Sequence, residues 1–415
     1  MLLYIVSYLF RCTNYRLRSR KCKFLCIIML SIFWLSVIWL LITLYMQEDY
    51  QLFHYPPNIN LYQIYEKEKL HINSSLSPLW KIIFPLSSNY TEQCIFQHHK
   101  CNNNNNNNSS LFQSSKCQTV DILLVIRSHV NNFDQRDAIR QTWGNQQCYE
   151  NFGVHVRILF ILGKQINNNN DHDGRNYNML KYSMQNKNVH FDSSSSSTGS
   201  SGSIDTLLKL HYEYFIHHDI IQFDFDDNDS NLLNKWIGSI DFIVKYCKIN
   251  EKSFILLLDD NYFLHPINLI QLLHRITPEQ YRIYASGHVK RISYPVRIPF
   301  LSKYISLSNY PFNIYPPYII SGTIILSMPV VQLLRVGFNY VTNIPYDDIL
   351  LGIILLKFGI GPIHLKNIYI THSFDMKTLK RLQFISVPGF NEPSLIHSLW
   401  STLNMNYVCK IKMGK

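Results

Sequence analysis

The sequence predicts an α/β domain with a mostly parallel sheet and flanking helices, preceded by one transmembrane helix. Between residues 121 and 258, short apolar runs alternate with stretches of helical spacing, the order typical of parallel strands joined by crossover helices. A separate run, 24–46, is uncharged, apolar and long enough to span a bilayer. Polar tracts over 102–108, 167–170 and 193–203 cannot bury apolar surface, so we expect one large globular domain.

The residues around the apolar run predict its orientation. Six basic residues precede it, Arg11, Arg16, Arg18, Arg20, Lys21 and Lys23. The positive-inside rule therefore places the N-terminus in the cytoplasm and predicts a single-pass type II membrane protein. A cleaved signal peptide is the alternative, but the run exceeds the usual ~7–15 residues and no small-residue cleavage site follows it. The same six residues supply much of the formal net charge of +11, so we expect no nucleic-acid partner.

This topology sets the expected domain boundaries. They are a cytoplasmic tail over 1–23, the transmembrane helix over 24–46, a lumenal stem over 47–118, the globular domain over 119–400 and a C-terminal tail over 401–415. An even number of cysteines lies beyond the span, which suits disulfides in an oxidising lumen, although the pairing cannot be read from sequence. These are Cys94, Cys101, Cys117, Cys148, Cys247 and Cys409. Sequons at Asn73, Asn89, Asn108 and Asn228 fit a lumenal location.

The first half of the globular domain gives the clearest alternation. Apolar runs of strand length begin at Asp121, Val154, Asp219 and Phe254, and each ends in polar residues or Gly. The intervening stretches have helical spacing. Strands are expected over 121–126, 154–163, 219–225 and 254–258, and helices over 134–144, 204–217 and 231–247.

The second half is less regular. A strand over 281–287 ends in Gly, and a strand over 315–327 follows two prolines and is interrupted by Ser321 and Gly322, where backbone can approach a ligand closely. A helix begins near Pro345. A final strand over 367–371 leads to His372.

Polar residues at the end of the strand over 254–258 form the first candidate site. Asp259, Asp260 and Asn261 stand where open α/β sheets bind their ligands, and they offer hard oxygen ligands for Mg²⁺ or Mn²⁺. Such a metal mostly holds phosphates. A turn is the alternative, because Asp and Asn also follow strands in ordinary turns.

Further charged residues carry two interpretations each. Arg136 and Arg140 lie one helical turn apart and could grip a diphosphate, or could pair with Asp134 and Asp137 on a solvated surface. Asp347 and Asp348, at a helix start, could act chemically or cap the helix. His372 could be structural or, opposite an acidic cluster, a metal ligand.

Six motifs in the same order resemble the β-1,3-galactosyltransferase and β-1,3-N-acetylglucosaminyltransferase family of Golgi type II enzymes. The similarity covers roughly residues 120–374. The motifs are RDAIRQTWG at 136–144 for RxxIRxTWG, 219–235 for DIIxxDFxDxYxNLTLK, 254–263 for the strand ending in DxD, 315–327 for YPPYxSGxGYxxS, Asp347-Asp348-Ile349 for EDV, and His372.

This resemblance implies a GT-A type, Rossmann-like fold that binds a UDP-sugar with Mn²⁺. It implies Asp348 as the general base for transfer of galactose or N-acetylhexosamine, with inversion, to an acceptor glycan on a glycoprotein or glycolipid at the Golgi membrane. The implied donor-binding residues are Arg136, Arg140, Asp224, Lys235, Asp259 and Asp260, and the implied metal ligands are Asp259, Asn261 and His372.

The chain departs from the family pattern at a critical position. Asn261 replaces the last DxD carboxylate, which removes one negative charge from the expected metal site. The YPPY motif and the NLTLK segment differ as well. The leading hypothesis is therefore a β-1,3-hexosyltransferase, and the alternative is a catalytically impaired lumenal homologue that binds a sugar nucleotide or glycan.

Overall fold

A computed structural model describes residues 28, 30–42, 60–70, 82–84, 120–165, 201–247, 249, 252–341, 344–371 and 374–410. The chain divides into two compact units. One comprises Met1–Asn58 and Tyr294–Ile314, and the other comprises Ile59–Ser293 and Tyr315–Lys415. The second unit contains the sheet and the candidate site.

An eight-stranded mixed sheet forms the centre of the second unit. Its strands are β1 (Ile82–Phe84), β2 (Ile122–Arg127), β3 (Val156–Lys164), β4 (Ile220–Asp226), β5 (Phe254–Asp259), β7 (Ala285–Lys290), β8 (Tyr318–Ser327) and β9 (Ile363–His364). They lie in the order β1-β4-β3-β2-β5-β8-β7-β9. Four neighbouring strands, β4, β3, β2 and β5, are parallel, and β8 is antiparallel to both β5 and β7. A separate antiparallel pair joins β6 (Tyr262–Leu264) to β10 (Ser386–Pro388).

Helices connect and cover the strands. They are α1 (Leu61–Leu70), α2 (Phe133–Gln141), α3 (Gln146–Glu150), α4 (Ser201–His217), α5 (Leu232–Tyr246), α6 (Pro266–Leu273), α7 (Pro278–Tyr281), α8 (Met328–Tyr340), α9 (Asp347–Lys357), α10 (Met376–Arg381), α11 (Pro393–Thr402) and α12 (Met405–Val408). A 3₁₀ turn, Asp229–Asn231, precedes α5. The mixed α/β architecture with parallel central strands confirms the predicted fold class at this level.

The order of the parallel strands creates the position for a site. Every residue of β2 is buried, as expected for an apolar strand covered by helices on both faces. From β2 the chain proceeds to β3 and β4 on one side, and then returns to place β5 on the other side of β2. The carboxyl ends of β2 and β5 therefore meet at a topological switch point, where open α/β sheets form their ligand crevice.

Two predicted strands differ from the structure. The strand expected over 281–287 begins at Ala285, because Thr277 and Gln280 form a capping box that starts α7 at Pro278. The strand expected over 367–371 is reduced to a single bridge between Ile368 and Ser386. The edge strand that pairs with β7 is β9, which precedes the segment over 367–371 in the sequence.

The predicted stem and C-terminal tail contain elements of the globular unit. Within the stem, Tyr62 of α1 donates a hydrogen bond to the Phe358 carbonyl at 2.6 Å, and β1 pairs with β4. Within the tail, Cys409 forms a disulfide with Cys148 of α3, two residues separated by 261 positions in the sequence. Cys247 is also disulfide-bonded. These contacts connect α1, β1 and Cys409 to the unit that contains the sheet, and the domain boundaries stay predictions.

The predicted transmembrane segment over 24–46 is described only at residues 28 and 30–42, which are helical. Across the described ranges, no helix is both long enough and apolar enough to cross a bilayer.

Candidate functional site

The candidate site lies at the switch point between β2 and β5. Arg127, the last residue of β2, is directly opposite Asp259, the last residue of β5, in the parallel register. Asp260 and Asn261 follow Asp259 in the turn that leads to β6. The structure thus places the predicted acidic triplet at the sheet edge that the strand order selects.

Arg127 connects three elements at this edge. Its Nε donates to Asp259 Oδ1 at 2.6 Å, and its Nη1 donates to Asp347 Oδ2 at 2.5 Å and to the Leu232 carbonyl at 3.3 Å. The guanidinium lies 4.2 Å from the centroid of the Trp236 ring. Arg127, Asp259 and Asp347 are hereafter the strand-end cluster.

Burial opposes the charge of Arg127, whose side chain is only 4% exposed. Desolvation acts to lower its pKa, but the carboxylates of Asp259 and Asp347 outweigh that effect and raise the pKa above its ordinary value. Sequence reasoning did not select Arg127. The available signal was a charged residue at the end of an otherwise apolar strand.

The three members of the triplet have different environments. Asp259 is 27% exposed, and the hydrogen bond from Arg127 is accepted by Asp259 Oδ1. Asp260 Oδ2 accepts from Ser128 Oγ at 2.7 Å and from Asn132 Nδ2 at 2.9 Å, while burial raises its pKa. Asn261 Oδ1 is buried and has no hydrogen-bond partner among the described residues. A buried oxygen without a partner costs about 1–3 kcal/mol, so this atom is a natural position for a ligand.

Two predicted donor-binding residues contact the turn after β2, residues 128–130. Arg136 is fully buried and donates to Ser128 Oγ and to the carbonyls of His129 and Val130. Lys235 is 3% exposed and donates to the Ser128 carbonyl at 2.8 Å. Because Ser128 in turn holds Asp260, both cations act on the site through this turn.

Asp227, just beyond β4, completes the support of that turn. Its Oδ2 accepts from the Val130 N–H at 2.8 Å, and its Oδ1 accepts from Lys235 Nζ at 2.5 Å. Burial lowers the pKa of Lys235 despite the adjacent carboxylate. Asp227 was one of several acids at this strand end in the sequence, and nothing in the local pattern distinguished it from its neighbours.

Asp224, the acid predicted to contact the donor, does not contact the turn after β2. Its side chain is 39% exposed and pairs with Lys164 at 3.3 Å. The alternation of side chains along β4 places Asp224 and Asp226 on an exposed face, whereas Phe225 between them is buried.

The two arginines of α2 form a buried ion-pair group. Arg136 binds both carboxylate oxygens of Glu213, at 2.8 and 2.6 Å, and Arg140 binds both oxygens of Asp219 at 2.8 Å. Arg140 also donates to Glu213 at 2.8 Å. These four residues are hereafter the arginine cluster.

The partners within the arginine cluster differ from the two expected alternatives. All five N–H donors of Arg136 are used by Glu213 and by the turn after β2, so none points to a diphosphate. Its acidic partner comes from α4 rather than from Asp134 or Asp137, and the group is buried rather than solvated. The two acids that pair with these arginines lie more than 70 positions away along the sequence, beyond the reach of helical spacing.

The acids at the start of α9 have distinct contacts. Asp347 Oδ2 accepts from Ser321 Oγ at 2.8 Å in addition to Arg127. Burial raises the pKa of Asp347, but Arg127 and Ser321 outweigh it and the net pKa is lowered. Asp348 Oδ1 accepts from the Ile349 N–H at 2.8 Å, and its charge contributes to the raised pKa of Tyr318 after burial. Asp348 therefore makes a backbone contact at the start of α9.

Gly322 permits a close approach beside this group. It has φ of +118°, and a Cβ at this position would overlap the phenol of Tyr262. Burial and the nearby Asp259 carboxylate raise the pKa of Tyr262 to about 12. The break in the apolar pattern of β8 thus coincides with tight packing against the residue that follows Asn261.

The donor set fits a hard divalent cation. Asp259 and Asn261 supply oxygen atoms, and neither Asp259 Oδ2 nor Asn261 Oδ1 has a hydrogen-bond partner among the described residues. No group of three His, Cys, Asp or Glu side chains arranged for a metal occurs within the described ranges. The third predicted ligand, His372, lies outside those ranges.

The chain is similar in sequence to known glycosyltransferases. The sequence profile of the Galactosyltransferase family matches residues 134–187 and 199–366, more than half of the chain. A β-1,3-galactosyltransferase, brn, from Drosophila melanogaster is 28% identical over 251 residues, 60% of this chain and 63% of that protein. N-acetyllactosaminide β-1,3-N-acetylglucosaminyltransferase 4 from Mus musculus is 28% identical over 255 residues, 61% of each chain.

A longer match is found to UDP-GlcNAc:βGal β-1,3-N-acetylglucosaminyltransferase 7 from Mus musculus, 25% identical over 305 residues, 71% of this chain and 66% of that protein. The chain spans less than two thirds of the length of the first two relatives. The profile match covers nearly all of α2, the strands β3, β4, β5, β7 and β8, and the acids of both β5 and α9. On that coverage, the chain belongs to the galactosyltransferase family.

Proposed function

We propose that this protein is a UDP-sugar-dependent β-1,3-hexosyltransferase that transfers galactose or N-acetylhexosamine, with inversion, to an acceptor glycan on a glycoprotein or glycolipid. The observation that carries the proposal is the meeting of the triplet at the end of β5 with the acids at the start of α9, through Arg127. The relatives named above transfer galactose or N-acetylglucosamine in 1,3 linkages by their names. The alternative, an impaired binding homologue, gains no support from them.

The proposed reaction is a direct displacement at the anomeric carbon. An acceptor hydroxyl oxygen forms the new bond to this carbon, the bond to the diphosphate oxygen breaks, and its electron pair leaves with UDP. Asp348 accepts the hydroxyl proton, as a positioned general base does. Asp348 suits this role better than Asp347, because the charge of Asp347 is neutralised by Arg127.

Some residues around the diphosphate would act directly, and others would act through the turn after β2. Asp259 and Asn261 would hold the divalent cation, with His372 as a further ligand, and the cation would supply positive charge for the departing diphosphate. Arg136 and Lys235 would act indirectly, by fixing the turn after β2 that orients Asp260. Arg140 would support Arg136 through the shared Glu213.

The proposed location is the Golgi membrane, with the catalytic domain in the lumen. The basic cluster before residue 24 and the apolar run over 24–46 support a type II anchor. The Cys148–Cys409 disulfide supports an oxidising compartment. Protease treatment of sealed microsomes is expected to leave the portion after residue 46 protected, and digestion of that portion would refute this topology.

A donor screen tests the activity. The full-length protein in detergent would be incubated with Mn²⁺, glycan acceptors and UDP-galactose, UDP-N-acetylglucosamine or UDP-N-acetylgalactosamine. We expect transfer from one of these donors, with a β-1,3 linkage in the product by NMR. Binding of UDP without hydrolysis or transfer of any donor would favour the impaired homologue instead.

A further inference from the structure

The segment Tyr294–Ile314, here called the β7–β8 insertion, has its own internal organisation. The Arg297 guanidinium donates to the carbonyls of Ile305, Tyr310 and Phe312 at 2.6–2.9 Å. The side chains of these three residues are buried. A short bridge joins Val296 to Tyr304. These contacts give the insertion a defined shape, so the side chains that it exposes form a specific surface.

That surface is strongly apolar. Six large side chains in the first two thirds of the insertion are at least 38% exposed, and Phe300 is 87% exposed. They are Tyr294, Ile298, Phe300, Leu301, Tyr304 and Leu307. Single exposed apolar residues are common, but six within 14 consecutive residues indicate an interaction surface.

The charge of the same stretch has one sign. Residues 291–314 contain Arg291, Arg297 and Lys303 and no Asp or Glu. Arg297 is used internally, which leaves Lys303, exposed within the insertion, and Arg291, just before the insertion in the sequence. Exposed apolar side chains together with cations match the two layers of a phospholipid surface, acyl chains and phosphates.

The composition distinguishes a lipid from a glycan partner. Glycan hydroxyls need hydrogen-bonding groups, and residues 294–307 contain no Asp, Glu, Asn or Gln. The exposed group includes three aliphatic side chains, Ile298, Leu301 and Leu307, which cannot pair with hydroxyls. Burial of such side chains in acyl chains is favourable.

We propose that the exposed face of the β7–β8 insertion docks onto the phospholipid bilayer. This inference rests partly on the proposed membrane anchor, because the compact unit that contains the insertion also contains Met1–Asn58 and hence the segment over 24–46. The apolar and cationic surface of the insertion is an independent observation. Docking would hold this part of the protein at the membrane surface where glycolipid or membrane-glycoprotein acceptors are found.

Photo-crosslinking to lipid tests the proposal on the full chain. The protein would be reconstituted in vesicles of phosphatidylcholine and phosphatidylserine that contain a diazirine-labelled phospholipid, irradiated, digested and mapped by mass spectrometry. We expect lipid adducts on residues 294–307. The Phe300→Ser/Leu301→Ser protein should lose at least about tenfold of this labelling, since two exposed side chains that docking would bury in lipid are removed.

A matched control uses exposed aromatic residues outside the insertion. Phe215 and Tyr407 are 74% and 71% exposed, and Phe215→Ser/Tyr407→Ser should leave the labelling of 294–307 unchanged. Circular dichroism of both double variants checks that they fold.

The labelling pattern separates the two proposals. Adducts over 24–46 without adducts over 294–307 would overturn the docking proposal and leave the anchor intact. Adducts over 294–307 without adducts over 24–46 would support docking and refute the anchor. Adducts over 294–307 that are undiminished in the Phe300→Ser/Leu301→Ser protein would also overturn the docking proposal.

Discussion

The strand-end cluster and the arginine cluster are built from the same residue types but differ in how completely their polar groups are paired. In the arginine cluster, Arg136 is fully buried and uses every donor, and its two acids are each 9% exposed. In the strand-end cluster, Asp259 is 27% exposed and has one oxygen without a partner in the part of the chain that the structure describes. Beside it, Asn261 Oδ1 is buried and is likewise unpaired within that part.

This difference distinguishes a supporting role from a binding role. A fully paired buried ion group stabilises one arrangement of the chain, and removal of one partner leaves a buried uncompensated charge. A group with spare oxygen atoms at a sheet edge can accept a cation or substrate. Mutations should therefore affect stability in the arginine cluster and ligand binding or turnover in the strand-end region.

The largest expected effect is on folding. Arg136→Met leaves Glu213 with only Arg140 and removes three hydrogen bonds to the turn after β2, so the free energy of unfolding should fall by about 3–5 kcal/mol. Urea denaturation measures this change. Asp137→Asn, on the exposed face of the same helix, should stay within about 0.5 kcal/mol of the parent. Unchanged stability combined with lost UDP binding would place Arg136 in direct contact with the donor.

Asp348→Asn should lower turnover by roughly 10² or more while UDP affinity changes little, because general-base catalysis typically contributes 10² to 10⁴. Steady-state kinetics and calorimetry with UDP separate the two quantities. Asp347→Asn is the matched comparison, since it weakens the contact with Arg127 and should reduce stability as well. Normal turnover in Asp348→Asn would mean that Asp348 caps the helix and is not the general base.

A pH dependence should appear in α4, which carries Glu213 of the arginine cluster. Burial lowers the pKa of His211 to about 4, so the folded state keeps it neutral while the unfolded state protonates it below about pH 6.5. Stability is therefore lost as pH falls from 6.5 towards 4, by about 1–2 kcal/mol at pH 5. His211→Gln should flatten the curve of unfolding free energy against pH over this window. An equally steep curve in the variant would assign the acid sensitivity to other groups.

The smallest expected effect concerns metal affinity. An amide oxygen ligates a divalent cation without formal charge, so Asn261→Asp should lower the Mn²⁺ concentration needed for half-maximal UDP binding several-fold. Asp259→Ala should abolish the metal dependence. Calorimetry with UDP across a Mn²⁺ series provides both values. Metal-independent UDP binding in the parent and in Asn261→Asp would mean that residues 259–261 form an ordinary strand-end turn.

The sequence alone determined the fold class and the position of the acidic triplet. Apolar runs and helical spacing are local properties, and they located β2, β3, β4 and β5 to within about two residues. Six ordered motifs were sufficient to identify the family. The predicted strand over 367–371 was wrong, because Ile368 forms only a single bridge, to Ser386, and Ile370 is exposed.

The tertiary structure decided how the charged residues are paired. Arg127 donates a hydrogen bond to Asp347, which lies 220 positions away in the sequence, and Arg136 donates one to Glu213, which lies 77 positions away. No local pattern encodes these partners, because they depend on the order of strands in the sheet and on which carboxyl ends it brings together. The sequence determined which residue types stand at the strand ends, and only the folded chain decided which charges are neutralised and which oxygen atoms stay available.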